Sequence, residues 1–192
     1  VGGPKLPANT LQEAIAYIRE RPGQLNYQAP LGSYSHLDML ALTAAAGIKM
    51  LHLPSRGAGE TVAALLRGEI QLSNSNVASN IGAIRAGQIK AFAVTSAQRI
   101  AELPDVPTLT EAGFTGIGSL NWNGFFAPVR TPRPVIDKLH ATIVATMREP
   151  EMQDYLAKRL IPVTLSATPA AFDDYVRAES KRWAKIIKDN NV

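Results

Sequence analysis

Three stretches of this chain gather small polar groups where a ligand could be held: "APLGSYSH" (residues 29–36), "LPSRGAG" (53–59) and "LSNSNVASN" (72–80). In the first, Pro30 and Gly32 break whatever precedes. Ser33, Tyr34, Ser35 and His36 then crowd the start of a helix whose apolar positions are Leu37, Leu40, Ala41, Ala44 and Ala45. The second offers Ser55, Arg56 and Gly57, the third Ser73, Asn74 and Asn76. None of the three carries a carboxylate before its helix begins. The first turn of a helix presents unpaired N–H groups and a partial positive charge. Several such turns converging on one point make an anion site without lysine. Arg56 adds a guanidinium that could grip a carboxylate bidentately. These eleven residues are the candidate ligand-binding set.

Each has a plainer alternative. Ser35-x-x-Asp38 fits a capping box, in which Asp38 itself satisfies the helix dipole. Ser75 or Asn76 can be an ordinary N-cap, and Arg56 an ordinary surface arginine. His52 alternates with Met50 and Leu53 as a packed core residue would, while His36 in a first helical turn fits either role. Trp122 could line a cleft or sit buried.

Enzyme signatures are poor. The chain has no G-x-S-x-G elbow, no P-loop and no G-x-G-x-x-G. Its acidic residues fall on helices or in "LPDVP", so the turns assemble no acid/base pair. The expectation is binding without turnover, and no cofactor. Zero cysteines exclude thiol and disulfide chemistry. Histidines at 36, 52 and 140 form no close pair, which argues against a histidine metal site. The net charge of +4 is mild; the cluster Lys181, Arg182, Lys185 and Lys188 falls near a helix C-terminus, where the dipole favours cations, so no nucleic-acid partner is expected. No apolar run approaches the ~20 residues a membrane helix needs, and "VGGPKLPANT" has neither the basic nor the apolar region of a signal peptide.

The elements that must position the turns follow from periodicity. Asn9 or Thr10 caps a helix with Leu11, Ala14, Ile15 and Ile18 on one face. Short strands are predicted at 25–28, 48–54, 69–73 and 89–95, separated by helices that stop at Gly47, Gly68 and Gly87. Such alternation predicts βαβ units and a mostly parallel sheet. After Thr95 the pattern changes. A proline-rich segment (103–114) and an extended stretch "LNWNGFFAPV" (120–129) lead into helices opened by Thr131-Pro132 and Thr168-Pro169. The first carries Val135, Ile136, Leu139, Ile143 and Met147 on one face, the last Phe172, Val176, Trp183 and Ile187.

The segments "LNYQAPLGSYSHL", "HLPSRGAG", "LLRGEIQLSNSNVASNIGAIRAGQIKAFAVTSAQR", "LPDVPTLTEAGF" and "WNGFFAPVRTPRPVIDKL" together resemble the substrate-binding proteins of tripartite tricarboxylate transporters, the Bug receptors, over the whole chain. The resemblance implies an α/β, periplasmic-binding-protein-like fold: one βα lobe plus a helical C-terminal part of the other lobe. Residues 1–118 would be the ligand-binding lobe. Residues 119–192 would be the crossover and the C-terminal helices of the first lobe, most of which is absent. It further implies a small carboxylate ligand, membrane components of a transporter as partners, and a periplasmic location. Where such proteins usually show an aromatic residue after "HLP" and an aspartate in the following "GGQVD"-like stretch, this chain has Ser55 and Gln71, which implies either an altered ligand preference or a loss of binding. A small α/β enzyme or an effector-sensing domain is the competing expectation. The apolar faces of the C-terminal helices also allow a homodimer formed by exchange of the helical tail.

Overall fold

The computed structural model describes residues 1–119 and 121–190. Leu120, at the head of the extended stretch, and the last two residues of the tail lie outside the described residues. The chain divides into two compact units, residues 1–121 with 186–192, and residues 122–185.

In the first unit, helix α1 (Leu11–Arg19) starts at a reciprocal cap: Thr10 Oγ1 accepts from Glu13 N (3.1 Å), and Glu13 Oε2 accepts from Asn9 N (2.7 Å). It buries Leu11, Ala14, Ile15 and Ile18, the predicted face. Strand β1 (Asn26–Ala29) leads through a turn into α2 (Tyr34–Ala46), which Gly47 ends at φ 62°, a left-handed C-cap. Strand β2 (Leu51–Pro54) returns parallel to β1, with Asn26 opposite Leu51 and Ala29 opposite Pro54. Helices α3 (Ala58–Arg67) and α4 (Val77–Arg85) follow.

The third and fourth predicted strands are not regular strands. They pair through single bridges: Leu72 parallel to Tyr27, and Gly2 antiparallel to both Leu72 and Lys90. The segment around Gly2 thus runs between the two, hydrogen-bonded to Lys90 in both directions (2.8 and 2.9 Å) and to Gln71 through Gly3 N (3.1 Å). A Cβ at Gly2 would collide with the Phe92 ring, so the close approach needs glycine. The expected parallel alternation therefore holds from β2 through β1 to Leu72 and is then interrupted by one antiparallel segment. Around this sheet the core closes on Leu6, Leu11, Ile18, Tyr27, Met39, Leu42, Leu72 and Phe92. A smaller cluster gathers Ala64, Leu65, Ile70 and Ile89 under α3. Complete burial of a side chain such as Leu65 contributes about 1.5–3 kcal/mol.

The second unit carries α5 (Arg133–Arg148), α6 (Pro150–Ala157) and most of α7 (Pro169–Asn190). Thr168 Oγ1 caps α7 as expected, accepting from Ala171 N at 3.0 Å. At α5 the N-cap is Pro132 rather than Thr131, whose own N–H closes a turn onto Pro128 O (2.9 Å). Trp122 is half-buried and meets Phe172 and Tyr175 edge-on, with centroids 5.7 and 5.6 Å apart. No described residue of α5, α6 or α7 is fully buried, and Val135 and Leu139 are exposed.

Candidate functional site

The three polar turns leave the carboxyl ends of β1, β2 and the run ending at Ser73, adjacent parallel segments of one sheet, where open α/β sheets bind ligands. They meet around one cavity of about 190 Å³. The α2 turn contributes Ser33, Tyr34 and Ser35; α3 contributes Ala58 and Thr61; the third turn contributes Asn74, Ser75 and Asn76; Gln28 and Ala29 form its β1 wall. The first residues of α2 and α3 and the N-cap of α4 therefore line a single hollow. Gly32 makes the first turn possible with φ at +71°. Ser33 Oγ donates to Pro30 O (2.6 Å), pairs with Ser35 Oγ (2.9 Å) and accepts from His36 N (3.4 Å), which makes Ser33 the N-cap of α2. Neither α3 nor α4 receives a side-chain cap. Uncapped first turns keep their N–H groups for a ligand or water, and an anionic group is the natural complement of their dipoles.

The tripartite tricarboxylate transporter family receptor model matches residues 1–192. The chain belongs to this receptor family. A UPF0065 protein from the tcbD–tcbE intergenic region of Pseudomonas sp. strain P51 is 37% identical over 179 residues, 92% of this chain and 53% of that protein. BugT of Bordetella pertussis is 30% identical across the full chain and 59% of its own length. Among solved structures, the periplasmic binding protein BugD superposes with a TM-score of 0.83 at 30% identity, covering 100% of this chain and 64% of that one. MatC of Rhodopseudomonas palustris with bound malate gives 0.80 at 27%, covering 97% and 64%. R. palustris Rpa4515 with adipate gives 0.83 at 28%, covering 99% and 64%. The fold is thus the periplasmic-binding-protein-like α/β fold, and the family is one of substrate-binding receptors, not enzymes. The chain spans about half the length of most of the curated relatives it matches.

Of the predicted site residues, the cavity brings together Ser33, Tyr34, Ser35, Asn74 and Asn76. The other six sit around it in supporting places. Gly32 N donates to His36 Nδ1 (3.2 Å). His36 is buried, stacked 4.0 Å from the His52 ring, which itself stacks on Tyr27. Burial, and then the neighbouring His52, lower the His36 pKa, keeping the ring neutral so that Nδ1 can accept. Ser55 Oγ accepts from Thr61 Oγ1 (3.3 Å), and Gly57 is the N-cap of α3. Arg56 is exposed; its backbone N–H meets Glu60 Oε2 (3.0 Å). Ser73 is buried, donating to Gln28 O (2.9 Å).

The capping box of Ser35 and Asp38 does not form. Asp38 is buried instead, and its carboxylate accepts from Ser119 N (3.0 Å), Ser119 Oγ (2.6 Å) and Asn74 Nδ2 (3.0 Å). It fastens α2 to the third turn and to the chain leaving the lobe, where Thr95 Oγ1 also donates to Ser119 O (3.1 Å). Burial, and then the Asp38 charge, raise the Tyr34 pKa and hold its phenol protonated beside the cavity. Sequence reasoning missed Asp38 as a tie because its partners are 36 and 81 residues away. It missed Gln28 and Thr61 because both belong to regular elements, not to the polar turns.

Proposed function

We propose that this chain is the ligand-binding α/β part of a periplasmic receptor that holds a small carboxylate for a tripartite transporter's membrane components. The carboxylate sits in the cavity between the N-termini of α2, α3 and α4. The observation that carries this reading is the meeting of three helix starts in one hollow, two of them without a side-chain cap. Helix dipoles and the N–H groups of those first turns neutralise the anion there, within a polar lining of Ser33, Tyr34, Ser35, Asn74 and Asn76. Arg56 is exposed at the α3 turn and is not needed for this. Malate and adipate in related structures are the kind of ligand expected. The absence of a nucleophile–base pair among the lining residues is what binding without turnover requires.

A thermal-shift and calorimetric screen with succinate, malate, citrate, glutamate and benzoate tests the reading. At least one acid should stabilise the chain and be recovered unchanged. Ala58→Asp places a carboxylate at the first residue of α3, on the cavity wall, so it should abolish acid binding while leaving the fold intact. Failure of every acid to bind, chemical conversion of a bound acid, or undiminished affinity in A58D would overturn it.

A further inference from the structure

The cavity wall carries an amide acceptor as well as donors, and its orientation is fixed from behind. Asn74 lines the cavity and its amide touches Asp38. The Asp38 carboxylate already accepts from the Ser119 N–H and hydroxyl, so it can only accept from Asn74 as well. The Asn74 amide nitrogen must therefore face Asp38, leaving its carbonyl oxygen, Oδ1, for a ligand. Gln28, on the same cavity wall and 6% exposed, repeats the device. Its Nε2 donates to the Pro54 carbonyl (3.3 Å), again an obligate acceptor. Its Oε1 is buried with no hydrogen-bond partner among the described residues. The two residues are neighbours, since Ser73, next to Asn74, donates to Gln28 O. The Asn74 amide oxygen is thus the acceptor this wall can offer, next to helix starts that supply N–H groups, while Gln28 Oε1 is enclosed by protein and out of a ligand's reach. A plain dicarboxylate offers nothing but acceptors to such an oxygen, and an acceptor set against it is unfavourable.

Building on the carboxylate-binding reading, we propose that the cavity selects acids carrying a hydrogen-bond donor, a hydroxyl or an ammonium, next to the carboxylate. The donor is read by Asn74 Oδ1. The carboxylate lies on the helix N-termini, and Asp38 acts behind Asn74 as the positioning residue.

Calorimetry of the 192-residue chain with succinate, malate and aspartate at one pH and ionic strength tests this. These acids share a four-carbon dicarboxylate skeleton and differ in the group on one carbon. Malate or aspartate should bind roughly three- to tenfold more tightly than succinate, the worth of one hydrogen bond. Tight malate alone assigns a hydroxyl, tight aspartate alone an ammonium, and either supports the proposal. In Asn74→Leu, and in Asn74→Ala as the second variant, malate and aspartate should bind no more tightly than succinate does in the same variant, whatever the absolute affinities. Succinate binding as tightly as both substituted acids, or a preference that survives in N74L and N74A, overturns the proposal but leaves the carboxylate reading standing. No binding of any acid overturns both.

Discussion

Removing the Asp38 carboxylate should cost this protein a large part of its stability. The group is 3% exposed and accepts at least three hydrogen bonds, two from Ser119 and one from Asn74. In Asp38→Ala, the Ser119 hydroxyl can rotate to another partner. The buried Ser119 backbone N–H cannot, and a buried donor left unmade costs about 1–3 kcal/mol, while the half-buried Asn74 amide loses a hydrogen bond to a charged group worth about 1.5–3 kcal/mol. The expected loss is therefore roughly 3–5 kcal/mol, against a total of about 5–15 kcal/mol for a domain. Asp38→Asn behaves differently. Its amide oxygen can replace Oδ2 and keep both N–H donors, while the Ser119 hydroxyl turns from donor to acceptor for the new NH₂ group. All three contacts survive without the charge, at a loss of about 1–2 kcal/mol. Urea unfolding followed by far-UV circular dichroism gives both numbers, provided that the slope with denaturant stays constant across the series. A D38A midpoint implying less than about 1 kcal/mol, or D38N at least as damaging as D38A, would refute the reasoning.

Two further outcomes follow from other parts of the molecule. The buried His36 ring has a lowered pKa from burial and from His52. Between that lowered value and about 6.5, the unfolded chain takes up the proton and the folded chain does not, so stability should fall as pH drops below about 6.5. Urea midpoints measured from pH 7.5 to 5 should show this fall, and His36→Asn, which keeps an acceptor for Gly32 N–H, should flatten it; an equal slope in H36N would sink the assignment. The apolar faces of α5 and α7 leave Val135, Leu139 and Ile187 exposed by 46, 49 and 39%, and exposed clusters of this kind favour self-association. Multi-angle light scattering should therefore find a dimer or larger species at micromolar concentration, whether by tail exchange or by face-to-face docking, and Leu139→Lys should shift it towards monomer. A strictly monomeric chain would refute that expectation.

The turns were legible in the sequence because their determinants are local. Gly32 supplies a positive φ, Ser33 is one of the few residue types that cap a helix, and Gly47 and Gly68 end helices in left-handed geometry. Each feature lies within four residues of what it controls, and a parallel sheet with short βα connections then obliges the turns to emerge on one edge. The Gly2 segment was not legible as a sheet member. Its pairing with residues 72 and 90 depends on long-range register, and a glycine-proline start gives no period-two signal. The roles within the site divide along the same line. Ser33, Tyr34 and Asn76 could be placed at the cavity from local pattern, whereas the one role local spacing suggests for Asp38, the alternative of a capping box, is not the one it has. Its real partners, Asn74 and Ser119, become neighbours only after the sheet has formed. What local sequence sets is therefore the supply of N–H donors. The orientation of the Asn74 amide among them is set by a tertiary contact, the Asp38 carboxylate. Under the proposed donor-reading site, ligand choice depends on Asp38 behind the cavity wall as well as on the residues that line it.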